Sequence, residues 1–200
     1  MSKNIFIIFA PGLGGNHLAN IFSFDNNYRT RIENDTYEKN QKNAHVKLQN
    51  IDLKSMRENF DQLVGRNNVF CGHWSEYVYF KESDLNQHFQ NRSFCVIQPP
   101  QKNSPFYHRL LHVTLPYYNK GTDPWLISEF IMLYKRENIT KLINEVESHF
   151  VYIQPEMLID KNIKELVNYV NNQGLNIHPD IEKAQACHNL WLSKNFPETS

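Results

Sequence analysis

An apolar segment followed by a glycine-rich turn, within residues 4–22, constrains the fold of this chain more than any other stretch. Residues 4–9 have the sequence Asn-Ile-Phe-Ile-Ile-Phe, a run that is mostly β-branched or aromatic. Because such a run has no polar face, it predicts a strand buried on both sides, as in a parallel sheet. Leu18, Ile21 and Phe22 follow at helical spacing and predict a helix. The segment therefore predicts a strand–turn–helix unit of an α/β fold.

The turn itself has the composition of an anion-binding loop, with three glycines at positions 12, 14 and 15. Glycines leave backbone N–H groups uncovered, and the next helix adds unpaired N–H groups and its positive dipole end. Phosphate is the anion most often bound in such a place. The alternative is a connection that uses glycine for its geometry alone. A Walker A loop would need a lysine and a hydroxyl where Asn16 and His17 stand, so ATP hydrolysis and nucleotide kinase activity are not expected.

Composition narrows the class of protein. The chain has 200 residues, 40% of them hydrophobic, and a formal net charge of zero, which predicts one globular domain over 1–200 without a nucleic-acid partner. The three cysteines are odd in number and lack metal-ligand spacing, which favours reduced thiols in the cytoplasm and no metal site. We expect neither a signal peptide nor a membrane partner, since the apolar run ends early in glycines and no segment approaches about 20 apolar residues.

Strands and helices are expected to alternate along the rest of the chain. Further strands are predicted at 68–71, 94–97 and 150–153, and helices at 53–64, 82–89, 104–116, 123–135, 139–146, 163–172 and 180–195. Residues 25–50 are polar and aperiodic, and we interpret them as an exposed excursion long enough to act as a mobile lid or substrate loop. The alternation predicts a three-layer, doubly wound, mainly parallel sheet with the first strand central. The loops 12–17, 72–76 and 98–104 should then converge on one crevice at the carboxyl ends of the strands.

The order of these segments resembles the sulfotransferases, which are enzymes of the P-loop NTPase-like fold. In that family, a phosphosulfate loop of the pattern Pro-Lys-Ser-Gly-Thr-Thr follows the first strand, and here residues 12–17 take its place. The segment 71–73, Cys-Gly-His, is similar to the strand end Lys-Thr-His that carries the family's catalytic base. The segment 94–104 is similar to the strand ending in Arg-x-Pro, with a later serine, that binds a 3′-phosphate. The segment 152–158 resembles a late Tyr-Glu-Asp-Leu turn.

This resemblance implies an activity and a set of site residues. It implies transfer of a sulfuryl group from 3′-phosphoadenosine 5′-phosphosulfate (PAPS), as co-substrate, to a hydroxyl or amine of a small-molecule or glycan acceptor. His73 would be the catalytic base, since imidazole titrates near neutral pH. The nucleotide-binding residues would be Gly12, Leu13, Gly14, Gly15, Asn16, His17, Gln98 and Ser104. The chain departs from the family pattern at Leu13, which replaces the loop lysine, and at Gln98, which replaces the arginine of the 3′-phosphate site.

A non-catalytic alternative stays open. The missing lysine and arginine favour a domain that binds a nucleotide, a phosphorylated ligand or a protein partner without turnover. Lys102, Arg109 or His17 are candidates to supply the lost positive charge. His73 has a second interpretation, as a histidine hydrogen-bonded beneath Trp74. The remaining candidates favour structure over chemistry: His108 and His112 lack a third metal ligand, His188 lies on an amphipathic helix, and Glu129 and Glu156 are isolated carboxylates interpreted as solvated or capping.

Overall fold

A computed structural model describes residues 4–9, 12–29, 67–73, 91–109 and 149–197, with positions 29 and 73 described by their backbone alone. The described strands are β1 (Asn4–Phe9), β2 (Tyr28–Arg29), β3 (Asn67–His73), β4 (Arg92–Ile97) and β5 (His149–Ile153). They form a five-stranded sheet in the order β2-β3-β1-β4-β5, and every neighbouring pair is parallel. The chain therefore has an α/β fold built on a parallel sheet.

The first strand lies at the centre of this sheet, as predicted. All six residues of β1 are buried, and so are all six of β4. Because alternate side chains point to opposite faces, complete burial means that both faces of the sheet are covered. On one face Phe70, Phe6, Phe94 and Phe150 form an aromatic row across four strands, with neighbouring ring centroids 4.9, 5.4 and 5.1 Å apart. This row fixes the register of the four longer strands.

The described helices are α1 (Gly15–Ser23), α2 (Pro105–Arg109), α3 (Met157–Asp160), α4 (Ile163–Asn172) and α5 (Ile181–Asn195). The predicted helices at 163–172 and 180–195 are confirmed. Asn162 begins α4 by accepting a hydrogen bond from the backbone N–H of Glu165, and Asp180 begins α5 in the same way. Gly174 follows α4 with a φ of 88°, the left-handed conformation that suits glycine after a helix. None of the described helices is both long and apolar enough to cross a membrane.

Buried Asp25 connects the end of α1 to the segment before α5. Its Oδ1 accepts a hydrogen bond from the backbone N–H of Asn27 at 2.8 Å, and its Oδ2 accepts one from the N–H of His178 at 2.7 Å. The backbone N–H of Asp180 also donates to the carbonyl of Phe24. A carboxylate that satisfies backbone donors from two distant segments fixes their relative position. The C-terminal helices are therefore anchored to the same unit that carries the glycine-rich turn.

All four predicted strands are confirmed, and where their ends differ from the prediction the shift is one or two residues. The structure adds a strand that was not predicted, β2, which lies inside the stretch interpreted as an excursion and pairs with Asn67 and Asn68 at the sheet edge. A strand of two residues has no periodicity to detect, so the sequence pattern gives no sign of it. The predicted helices at 53–64, 82–89, 123–135 and 139–146, and most of the 25–50 excursion, lie outside the described residues.

Candidate anion-binding site

The carboxyl ends of β3, β1, β4 and β5 lie side by side at one edge of the sheet. Phe9 is paired with His73 at the ends of β1 and β3, and Ile97 is paired with Ile153 at the ends of β4 and β5. The loops that begin at 12 and at 98 therefore leave the sheet at the same edge, as the sequence predicts. Residues 74–76 of the third predicted loop lie outside the described residues. In open parallel sheets this edge is where ligands bind.

The glycine-rich turn presents backbone donors at the start of α1. Gly12 and Gly14 have φ angles of 85° and 80°, in the left-handed region that favours glycine. Gly14 precedes α1 without a side-chain cap, and the first turn of α1 contains no acidic residue. Within the described residues, the N–H groups of Gly15 and Asn16 donate no hydrogen bond. These donors and the helix dipole together make an anion-binding position.

Two of the three glycines are also required by packing. A Cβ atom added to Gly15 would lie 2.0 Å from Cδ1 of Phe9, and one added to Gly14 would lie 2.9 Å from Cδ1 of Leu158. Neither position has room for a larger residue unless the surroundings move. The purely geometric explanation of the glycines thus accounts for their identity at 14 and 15. It does not account for the N–H groups of Gly15 and Asn16, which make no hydrogen bond within the described residues.

His17 directs its ring away from the turn and into the core against α5. The side chain is 1% exposed and stacks on Trp191, with ring centroids 4.1 Å apart and planes 1° from parallel. Its Nε2 lies 2.9 Å from Nδ1 of His188, which is also buried. Burial, and then the neighbouring His188, lower the pKa of His17 well below its usual value. The side chain is thus a neutral group that packs in the core. An anion in the turn could contact His17 only through its backbone.

Two positions where the sulfotransferase pattern has a lysine and an arginine carry uncharged side chains, Leu13 and Gln98. Leu13 is buried in the core, where a lysine would have to give up its hydration. The side chain of Gln98 accepts a hydrogen bond from that of Gln154. The Ser104 hydroxyl accepts a hydrogen bond from the backbone N–H of Tyr107 at 3.2 Å, which makes it the predicted cap of α2. Asn16 accepts a hydrogen bond from the thiol of Cys71 at 3.4 Å, so its amide oxygen faces β3.

The candidate replacement cations do not contact the turn in the described part of the chain. Lys102 is exposed to solvent. The Arg109 guanidinium donates to the backbone carbonyl of Asn195 at 3.3 Å and lies 5.6 Å from the ring centroid of Phe196, at the end of α5. Burial lowers the pKa of Arg109. Arg109 therefore stabilises the contact between α2 and α5.

His73 is the last residue of β3, at the edge where the turn begins. Its backbone lies opposite Phe9, the last residue of the central strand. Two residues, 10 and 11, separate Phe9 from Gly12, the first described residue of the turn. The side chain of His73 lies outside the described part of the structure, so its role as a base stays a prediction. Of the other histidines, His108 is exposed. The described residues contain no group of three or more His, Cys, Asp or Glu side chains arranged to bind a metal.

Glu156 is the residue whose setting the sequence interpretation missed. It is 9% exposed, and its Oε1 accepts a hydrogen bond from the backbone N–H of Gln101 at 2.7 Å. Its Oε2 is buried and has no hydrogen-bond partner among the described residues. The available signal was position: Glu156 follows the end of β5 by three residues and must therefore lie at the carboxyl edge of the sheet.

The chain is thus an α/β protein in which a glycine-rich turn follows the central strand of a parallel sheet. Comparison with models of known protein families gives no match, and comparison with curated proteins gives no match either. The residues at the carboxyl edge of the sheet are therefore the main indication of function.

Proposed function

We propose that this chain is a P-loop-like, doubly wound domain that binds an anionic, nucleotide-type ligand at the glycine-rich turn. The observation that carries the proposal is the pair of N–H groups of Gly15 and Asn16, which have no acceptor among the described residues. A phosphate or sulfate group at the start of α1 would satisfy both donors and interact favourably with the helix dipole. The absence of an acidic residue from the first turn of α1 supports the same polarity.

The proposed contact is made by the backbone alone. Leu13 and His17 are buried in the core, so neither side chain adds a positive charge to the turn. Affinity for the anion then depends on hydrogen bonds from fixed N–H groups and on the helix dipole. The dipole acts only near the first turn of the helix, and dissolved salt screens it. We therefore expect binding that weakens as ionic strength rises.

Sulfuryl transfer is the catalytic form of this proposal, and the position of His73 at the end of β3 favours it. His73 would take the proton of the acceptor hydroxyl or amine while the acceptor atom forms its bond to sulfur. The bond from sulfur to the bridging oxygen would break, and the electron pair would leave with the 5′-phosphate. The turn would hold that phosphosulfate in line with the acceptor. PAPS is the donor that the family resemblance implies, and binding without turnover is the alternative.

The catalytic form is tested by His73→Ala, with transfer of radiolabelled sulfate as the readout. A general base contributes roughly 10²–10⁴-fold, so turnover should fall by that factor while nucleotide affinity stays nearly unchanged. The rate should also fall below about pH 6 as the imidazole becomes protonated. If no acceptor pool is labelled by the unaltered protein, the non-catalytic alternative stands.

Binding at the turn is tested by comparing Asn16→Pro with Asn16→Ala. Both substitutions remove the amide side chain, but only proline also removes the backbone N–H, and it is tolerated in the first turn of a helix. Thermal shifts would be measured with inorganic sulfate, pyrophosphate, PAPS, its desulfated product, ATP and GTP, since a ligand that binds only the folded state raises its stability. We expect the proline variant to lose the shifts that the alanine variant retains. Equal shifts in both variants would place the anion elsewhere.

A further inference from the structure

The segment that carries Glu156 contacts both described loops of the carboxyl edge. On one side it accepts the hydrogen bond from the N–H of Gln101, in the loop that leaves β4. On the other side, two residues along the chain, Cδ1 of Leu158 lies 2.9 Å from the place that a Cβ of Gly14 would take. The short segment 156–158 therefore contacts both loops. A ligand held at the glycine-rich turn and extending toward β4 would pass beside Glu156.

One oxygen of this carboxylate, Oε2, is buried and has no hydrogen-bond partner among the described residues. Glu156 also makes no ion pair within those residues. A buried polar atom that is left unsatisfied costs about 1–3 kcal/mol, and more when the group is charged. Native proteins retain few such atoms, and those that remain often serve a function. A ligand that donates a hydrogen bond to Oε2 would remove this penalty.

The surroundings of Glu156 favour a hydroxyl over a phosphate. Gln98, at the end of β4, occupies the position where the sulfotransferase pattern has the arginine of its 3′-phosphate site, and its side chain is bonded to Gln154. Neither glutamine carries a charge. A phosphate beside a buried carboxylate would meet like-charge repulsion, and within the described residues no cation forms an ion pair with Glu156 to offset it. A ribose hydroxyl, by contrast, is a neutral donor of the kind that carboxylates bind in other nucleotide sites.

We propose that Glu156 accepts a hydrogen bond from the ribose 3′-hydroxyl of the bound nucleotide, and so selects nucleotides with a free 3′-hydroxyl over those with a 3′-phosphate. This inference rests on the proposed binding of a nucleotide at the glycine-rich turn. It changes the ligand that the family resemblance implies, because PAPS carries a 3′-phosphate. A sulfuryl donor for this site would then be adenosine 5′-phosphosulfate.

The test is isothermal titration of the full chain with two matched pairs of ligands. Adenosine 5′-phosphosulfate is compared with PAPS, and AMP with adenosine 3′,5′-bisphosphate. The ligand with the free 3′-hydroxyl should bind at least about tenfold more tightly in each pair, given the penalty for like charges brought together. Glu156→Gln keeps the shape and removes the charge, and should reduce the ratio to within about threefold. Glu165→Gln makes the same change at an exposed site on α4 and should leave the ratio as it is.

Titration with pyrophosphate distinguishes anion binding at the turn from the role proposed for Glu156. If pyrophosphate binds while PAPS binds as tightly as adenosine 5′-phosphosulfate, or while Glu156→Gln leaves the ratio unchanged, the turn binds anions and the role of Glu156 is wrong. If neither pyrophosphate nor any nucleotide binds, the proposed function fails and the inference fails with it. Should Glu156→Gln unfold, Gln98→Arg is the second variant. It introduces a cation at the end of β4, three residues before Gln101, and should shift the preference toward the 3′-phosphate. An unchanged preference would overturn the inference.

Discussion

The hydrogen bond between His17 and His188 joins the first turn of α1 to the C-terminal helix across the core. Nε2 of His17 and Nδ1 of His188 are 2.9 Å apart, so one ring must donate a proton and the other must accept it. Burial lowers the pKa of His188, and a backbone hydrogen bond at Lys161 partly opposes that effect. The pKa of His17 is lowered more strongly. Both rings are therefore neutral in the folded protein near pH 7.

Stability should consequently depend on pH through this pair. The ordinary pKa of a histidine side chain is 6.5, and the pKa values of His17 and His188 in the folded protein both lie below it. At pH values between the folded-state and the unfolded-state pKa, the unfolded chain binds more protons than the folded one. The contribution of the pair to the free energy of unfolding is therefore complete above about pH 6.5 and is lost as the pH falls below it. Urea denaturation at a series of pH values measures the slope. The double variant His17→Gln/His188→Gln should have a flatter profile between pH 7 and pH 5, and an identical slope would contradict this account.

Trp191 shows how one element supports the candidate site. It stacks on His17, contacts the ring of Phe196 at a centroid distance of 5.4 Å, and lies 3.3 Å from the place that a Cβ of Gly14 would take. A single side chain of α5 thus packs against both the turn and the first residues of α1. The glycine-rich turn is held in shape by the C-terminal helix as well as by its own sequence.

Trp191→Ala should accordingly lower the free energy of unfolding by about 3–5 kcal/mol, the usual cost of removing a large buried aromatic side chain. Leu190→Ala is the matched control on the same helix, since that side chain is 42% exposed, and it should change stability by less than about 0.5 kcal/mol. Chemical denaturation of both variants measures the difference. Similar small effects would mean that α5 does not support the turn.

Gly15 tests the packing of α1 against β1. In an ordinary helix, replacing glycine by alanine stabilises by up to about 1 kcal/mol. Here the new Cβ would lie 2.0 Å from Cδ1 of Phe9, so Gly15→Ala should instead destabilise by roughly 1–3 kcal/mol. Thermal denaturation gives the sign, and the double variant Phe9→Leu/Gly15→Ala should recover part of the loss. A stabilised single variant would show that Phe9 moves aside freely.

The architecture of the molecule follows from its sequence farther than the candidate site does. The apolar run at 4–9 predicts a central parallel strand because a continuous run reports burial on both faces. Asn162, Gly174 and Asp180 likewise mark helix ends through local backbone chemistry. The pairing of Gln101 with Glu156 spans 55 residues and that of His17 with His188 spans 171, and no local pattern carries this information. Periodicity identifies the buried face of an element but not its partner.

The same limit applies to the glycine-rich turn. Its sequence predicts uncovered N–H groups, and the structure leaves those of Gly15 and Asn16 without a described acceptor. It does not predict that Gly14 and Gly15 also permit the close approach of Leu158 and Phe9, because those contacts depend on tertiary packing. Close packing alone is therefore enough to require glycine at positions 14 and 15. The evidence for a ligand is therefore in the N–H groups and not in the glycines themselves.

The most direct measurement for the anion-binding proposal is an NMR titration of the ¹⁵N-labelled chain with pyrophosphate. The account predicts saturable shifts of the backbone amides of Gly15 and Asn16, which are the donors that an anion would satisfy. The shifts should weaken as sodium chloride is added, because the interaction with the helix dipole is screened by salt. The amide of exposed Lys102 should move much less. Unmoved Gly15 and Asn16 amides at pyrophosphate concentrations that stabilise the fold would contradict the account.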